Sequence, residues 1–155
     1  MSLYIGLDPG KKGAMAIIGH SNTTGETYMC KIIPYDPQEY IKALKQYNGA
    51  TVCIEQVHSI SKQGIASSFT FGVMYGWLLG MLDTIGVSYQ AVSPQKWKNS
   101  FGLLRADKSK SVEVCQHLLP QANLYRTERC KKPDDGMAEA ALLGIYAMRN
   151  FGCRN

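Results

Sequence analysis

The chain has 155 residues, 45% of them hydrophobic, enough to bury a continuous core without staples, and this predicts a single domain over residues 1–155. Its five cysteines, Cys30, Cys53, Cys115, Cys130 and Cys153, are odd in number and scattered, with no C-x-x-C pair, and its three histidines are isolated. Composition therefore argues against a disulfide framework and against a Cys/His metal site. Seventeen Lys and Arg against twelve Asp and Glu give a net charge of +5, a modest bias toward a polyanionic partner.

Apolar alternation and turn residues predict three opening strands, near Leu3–Asp8, Gly13–Gly19 and Tyr28–Ile33, joined as two hairpins through Pro9-Gly10 and Asn22 to Gly25. A strand starting this early leaves no room for the charged and apolar regions of a signal peptide, so secretion is not expected and the thiols are read as reduced. Asp36-Pro37 starts a helix through about Gln46, with Asp36 as N-cap and Pro37 in its tolerated first position. Val52-Cys53-Ile54-Glu55 follows as a short strand, apolar on both faces, of the kind found inside a covered sheet.

A long helix is expected from about Ile65 to Thr84. Residues 65 to 82 are free of charge, but Ser67, Ser68, Thr70 and three glycines favour a buried helix of a soluble domain over a membrane span. A fifth strand, Ser88–Val92, precedes a helix capped by Ser93-Pro94 and running through Trp97. Two more helices are expected over about Asp107–Leu119 and Asp134–Asn150. Three antiparallel strands followed by alternating helix and strand give an α/β fold, a mixed five-stranded sheet with helices on both faces.

Asp8 and Glu55 both stand at the ends of hydrophobic strands. Asp8 alone is equally well read as the cap of the Pro9-Gly10 turn. Two strand-end acids with no basic neighbour in their strands call for a shared counter-charge, because a buried unpaired carboxylate costs several kcal/mol. If the first and fourth strands pair, about 4.8 Å separates them, and a hard cation with oxygen ligands would let both acids ionise. The last helix adds Asp135 and Glu139, four apart on one face, and the stripe continues through Ala138, Leu142, Ile145 and Arg149. A first-turn Asp can also be a cap, so Asp134 and Asp135 are both open as the helix ligand.

These residues resemble the RuvC-like Holliday junction resolvases of the RNase H-like superfamily, in particular the short forms of phages and mobile elements. The resemblance covers most of the chain. It rests on Gly6-Leu7-Asp8-Pro9-Gly10, then Glu55-Gln56-Val57, then Phe69, Gly72 and Gly76, then Gln95, Trp97 and Lys98, then Lys108 and Ser111, and the acidic helix from Asp135 to Ala140. It implies an RNase H-like fold in which Asp8, Glu55, Asp135 and Glu139 are the catalytic residues and hold two Mg²⁺ ions, with Mn²⁺ able to substitute. It further implies two-metal phosphodiester hydrolysis, a 5′-phosphate product, paired symmetric nicks in a four-way junction, a two-fold homodimer and a cytoplasmic setting in a bacterial or phage-infected cell. Neither a nucleotide cofactor nor a membrane is expected.

The chain departs from that pattern in carrying His58 where cellular members have an aromatic residue, and in spacing the helix acids by four rather than three. Gly72, Gly76 and Gly80 recur every four residues, which fits either a dimer contact by this helix or tight packing on its own sheet. Lys11, Lys12, Lys62, Lys96, Lys98, Arg105, Lys108, Lys110, Lys131 and Lys132 are the candidate DNA contacts. With four acids committed to metal, seventeen bases face eight remaining acids. The loop of residues 59 to 64, with Lys62, could enter the junction, and His58 is read as a solvated loop histidine in preference to one that stacks on bases. Trp97 and Phe101 are read as core. A nuclease of the same fold acting on flaps, forks or hybrids, and a non-catalytic DNA-binding module, stay open as alternatives. An actin-like or sugar-kinase ATPase would need a second domain and further glycine-rich phosphate loops.

Overall fold

In a computed structural model, which describes residues 1–58 and 64–152, the chain opens with three strands, β1 (Ser2–Asp8), β2 (Ala14–His20) and β3 (Thr27–Pro34). They pair antiparallel in sequence, β1 with β2 and β2 with β3. The first turn is tight because Gly10 adopts φ 110°, open to glycine without strain, while the Gly13 amide donates to the Gly10 carbonyl at 2.9 Å. Helix α1 (Pro37–Gln46) is capped by Asp36, whose side chain accepts from the amides of Gln38 and Glu39.

Strand β4 (Thr51–Glu55) then lies parallel to β1, with Leu7 opposite Ile54, and β5 (Tyr89–Val92) lies parallel to β4, with Glu55 opposite Val92. The sheet order is β3-β2-β1-β4-β5. Between β4 and β5 runs α2 (Ile65–Ile85), closed by Gly86 at φ 79°, whose amide donates to the carbonyls of Leu82 and Asp83. After β5 come α3 (Pro94–Ser100), α4 (Lys108–Leu118) and α5 (Asp135–Phe151). The expected mixed sheet with helices on both faces is what forms.

Strand alternation divides the core. Ile5, Leu7, Met15, Ile17, Val52 and Ile54 pack with the buried residues of α1 and α2. Tyr4, Ala14, Ala16, Ile18 and Cys53 pack with α3, α4 and α5 on the other face. Asp8 shares the parity of Tyr4 and Gly6, and Glu55 that of Cys53. Both acids therefore leave the sheet on the α5 side.

Helix α5 is held very close to that face. A Cβ on Gly6 would overlap the Ala140 carbonyl and the Gly144 amide, and a Cβ on Gly144 would lie 2.7 Å from the Ile18 side chain. The two glycines thus mark the crossing of β1 and α5. From Gly144 back to Glu139 the helix advances about 7.5 Å, and from Gly6 on to Asp8 the strand advances about 6.6 Å, so the crossing brings Glu139 level with Asp8. Between Gly136 and Ala147 every residue of α5 is buried except Glu139.

The expectation of a buried long helix is corrected. Met74, Leu78, Met81 and Leu82 are the only buried residues of α2, while Ile65, Phe69 and Val73 are 91%, 73% and 56% exposed. The reading of Gly72, Gly76 and Gly80 as packing on their own sheet is corrected too, since a Cβ on any of them would meet nothing within 4 Å. An apolar helix at the outer edge of the α1 side, rather than between layers, has only one covered face. Cys30, Cys53, Cys115 and Cys130 are free thiols, and Cys153 lies outside the described residues.

Candidate active site

Asp8, Glu55 and Glu139 converge, with one carboxylate oxygen from each lying within 4.8 Å of the others. The β1–β4 register makes Asp8 and Glu55 neighbours across parallel strands, and the glycine crossing delivers Glu139 from above. Burial raises the Asp8 carboxyl well above the usual carboxylate range, and Glu55, Glu139 and, more weakly, Asp135 raise it further against an opposing pull from Lys98. Burial also raises Glu55, opposed by the Trp97 hydrogen bond and by Lys98.

A second layer of groups holds these acids. The Trp97 indole N–H donates to Glu55 Oε2 at 2.7 Å. Lys98 Nζ lies 3.2 Å from Glu139 Oε1, and the buried Ser111 hydroxyl donates to the same oxygen at 3.3 Å. Asp135, on the first turn of α5, stands at the margin of the cluster, and the exposed Lys108 lies 3.5 Å from it.

Asp134 has another task. Its carboxylate receives the Arg126 guanidinium at 2.5 and 2.9 Å and the Met137 amide at 2.9 Å, making it the N-cap of α5. Arg126 also donates to the Lys12 and Gly13 carbonyls, which ties the β1–β2 turn to the start of α5. Asp134 is thus engaged as the cap of α5, while Asp135 is the one of the two that acts electrostatically on Asp8.

Three hard oxygen donors gathered around one half-buried point fit a hard divalent cation. The donor set lacks sulfur and imidazole, which turns it away from zinc and copper. Lys98 supplies one positive charge against the three converging acids, so a cation between them would offset the remaining negative charge.

Of the candidate DNA contacts, Lys11, Lys12, Lys96, Arg105, Lys108, Lys110, Lys131 and Lys132 are exposed. Lys11 and Lys12 follow Asp8 on the β1–β2 turn, Lys131 and Lys132 precede α5, and Lys108, which opens α4, lies beside Asp135. Lys110 pairs with Glu113 at 2.8 Å. Lys98 is placed differently from the rest, inside the cluster, and Lys62 lies outside the described residues, as does most of the loop that follows the exposed His58. Trp97 is fully buried, as expected of a core residue, yet its N–H reaches the site. The only sequence signal for that second role was Ser93-Pro94, which starts a helix directly after β5; the pairing of Val92 with Glu55 that sets this helix beside the carboxylate came from the fold. Arg126, in an irregular segment, left no such signal.

No protein-family model matches the sequence, and no curated protein matches it at a significant score. Solved structures do match, and they share this fold. RuvC of Thermus thermophilus superposes with a TM-score of 0.64 at 15% identity over 95% of both chains. The fowlpox virus resolvase, solved with its substrate Holliday junction DNA, gives 0.58 at 20% identity over 96% of this chain and 98% of the other. The yeast mitochondrial Holliday junction resolvase gives 0.64 at 15% identity over 96% and 78%.

Proposed function

We propose that the protein is a metal-dependent, structure-specific DNA endonuclease that resolves four-way junctions by paired symmetric nicks. The convergence of Asp8, Glu55 and Glu139 at one point of a resolvase fold carries this reading. Asp8, Glu55, Asp135 and Glu139 are its catalytic and metal-holding residues. Two Mg²⁺ ions held there, or Mn²⁺ in their place, would supply an activated water for in-line attack and charge stabilisation for the departing 3′ oxygen, leaving a 5′ phosphate.

The protein's own groups have separable tasks. Asp8 and Glu55 orient the metal on a rigid strand pair, and Glu139 closes the site from the helix. Lys98 offsets part of the negative charge and lies where a scissile phosphate would approach the acids. Lys11, Lys12, Lys108, Lys131 and Lys132, on the turn after β1, at the start of α4 and ahead of α5, would hold the flanking phosphates. Lys96, Arg105 and Lys110 extend that basic face away from the centre.

Two opposed strands require two centres, and the exposed face of α2 supports a homodimer. Ile65, Phe69, Val73 and Trp77 form an apolar stripe at helical spacing beside the bare backbone of Gly72, Gly76 and Gly80. A groove of about 800 Å³ between α1 and α2, lined by Ile41, Trp77, Met81 and Ile85, continues the apolar surface. A second copy presenting the same helix would cover it by two-fold symmetry.

Substrate class is tested by incubating the protein with labelled four-way junction, flap, linear duplex and RNA–DNA hybrid in Mg²⁺, Mn²⁺ or EDTA. Paired nicks confined to the junction are expected, and only with metal. Equal cutting of duplex and junction would contradict the junction specificity.

A further inference from the structure

Trp97 is fully buried, and a buried indole N–H needs an acceptor. The acceptor is Glu55, at a distance typical of a bond to an ionised oxygen. The strand pairing makes this contact a consequence of the fold. Glu55 lies opposite Val92, Ser93 accepts from the Lys96 amide at 3.4 Å to start α3, and Trp97 follows one turn later, above the carboxylate.

The ring has little freedom to turn. Phe101 packs edge-on with centroids 6.3 Å apart, and the Lys98 ammonium sits 5.2 Å from the indole centroid. Lys98 in turn is paired with Glu139. A glutamate at the end of a strand has three rotatable bonds, and with one oxygen fixed by this immobile donor its other oxygen is left in a defined direction.

We infer that Trp97 is a positioning residue of the metal centre, its indole N–H holding the Glu55 carboxylate in the orientation it shares with Asp8 and Glu139. The inference rests on the metal-centre reading above. An aromatic filler that lacked the N–H would pack the core equally well and leave Glu55 free to rotate.

The test replaces Trp97 by 3-benzothienylalanine, which keeps the bicyclic shape and has no N–H, and in parallel by phenylalanine. Titration calorimetry with Mn²⁺ on the full chain measures metal binding, thermal melting of the metal-free protein checks the core, and the Mg²⁺ dependence of junction cleavage is recorded. The benzothienyl protein is expected to melt like the unsubstituted one, to bind Mn²⁺ about 10–100-fold more weakly, and to approach the normal maximal cleavage rate only at correspondingly higher Mg²⁺. Trp97→Phe should show at least the same loss of affinity. Mn²⁺ affinity within about twofold of normal in the benzothienyl protein would overturn the inference and leave the metal centre standing. Failure of the unsubstituted protein to bind Mn²⁺ would overturn both.

Discussion

Asp8 has no neighbouring base in its own strand, and its nearest charges are mostly negative. Burial and the Glu55 and Glu139 carboxylates raise its pKa, so the folded, metal-free protein holds this proton more tightly than the unfolded chain does. Stability from this group is therefore present at low pH and declines as pH rises from the unfolded value, near 3.9, through the raised folded value. Glu55 acts in the same direction. In the metal-free state Asp8→Asn should raise the melting temperature at neutral pH by a few degrees, each 1 kcal/mol being worth about 2–4 °C in a chain of this size, and flatten the fall in stability toward neutral pH. Mg²⁺ should raise the melting temperature of the unsubstituted protein more than that of the variant. Scanning calorimetry from acid to neutral pH, with and without Mg²⁺, checks both. Asp8 and Glu55 were legible in the sequence because an acid closing an apolar strand is conspicuous. Lys98 as their partner was not, since it is remote from both in the chain and reaches them only once β5 and α3 are folded. Asp134 shows the same limit: two adjacent acids at a helix start look alike until Arg126 claims one of them.

At the level of elements, the site depends on how closely α5 lies on β1. Gly6 faces the helix backbone, with the Ala140 carbonyl and Gly144 amide where its side chain would be, so neither atom can retreat without moving the helix. Gly6→Ala should destabilise the fold by at least about 1–3 kcal/mol, measured by urea denaturation, because the overlap is with backbone and not with a flexible side chain. It should also weaken Mn²⁺ binding, since Glu139 moves with α5. Strand and helix order was readable from turn residues, caps and periodicity, and element ends differ from expectation by three residues at most, at the end of α3. The burial of α2 was misjudged for a physical reason. A helix apolar around its whole circumference gives no sign of which side meets its own chain, and the same pattern serves an internal core and a surface covered by another molecule.

At the scale of the whole molecule, the proposed DNA and dimer contacts rest on surface charge and on the exposed face of α2. Neutralising six to ten phosphates predicts that junction affinity falls by about 10³ to 10⁵ between 50 and 200 mM salt, readable by fluorescence anisotropy. Phe69→Glu or Val73→Glu places a charge in the exposed stripe, where folding should change by no more than about 0.5 kcal/mol. Sedimentation should then show monomers, and the two nicks in a junction should become independent events in place of a coupled pair. A dimer that persists in both variants would remove α2 from the interface. The measurement that bears most directly on the acid cluster compares the unsubstituted protein and Asp8→Asn on one labelled four-way junction, recording binding without metal and cleavage with Mg²⁺. The variant should bind the junction as tightly as the unsubstituted protein or somewhat more so, with cleavage lowered by more than the roughly 10–100-fold that loss of an outer partner of a metal ligand costs. Cleavage by Asp8→Asn at a near-normal rate, or cleavage by the unsubstituted protein that persists in EDTA, would contradict the assignment of Asp8, Glu55 and Glu139 as a metal-dependent nuclease centre.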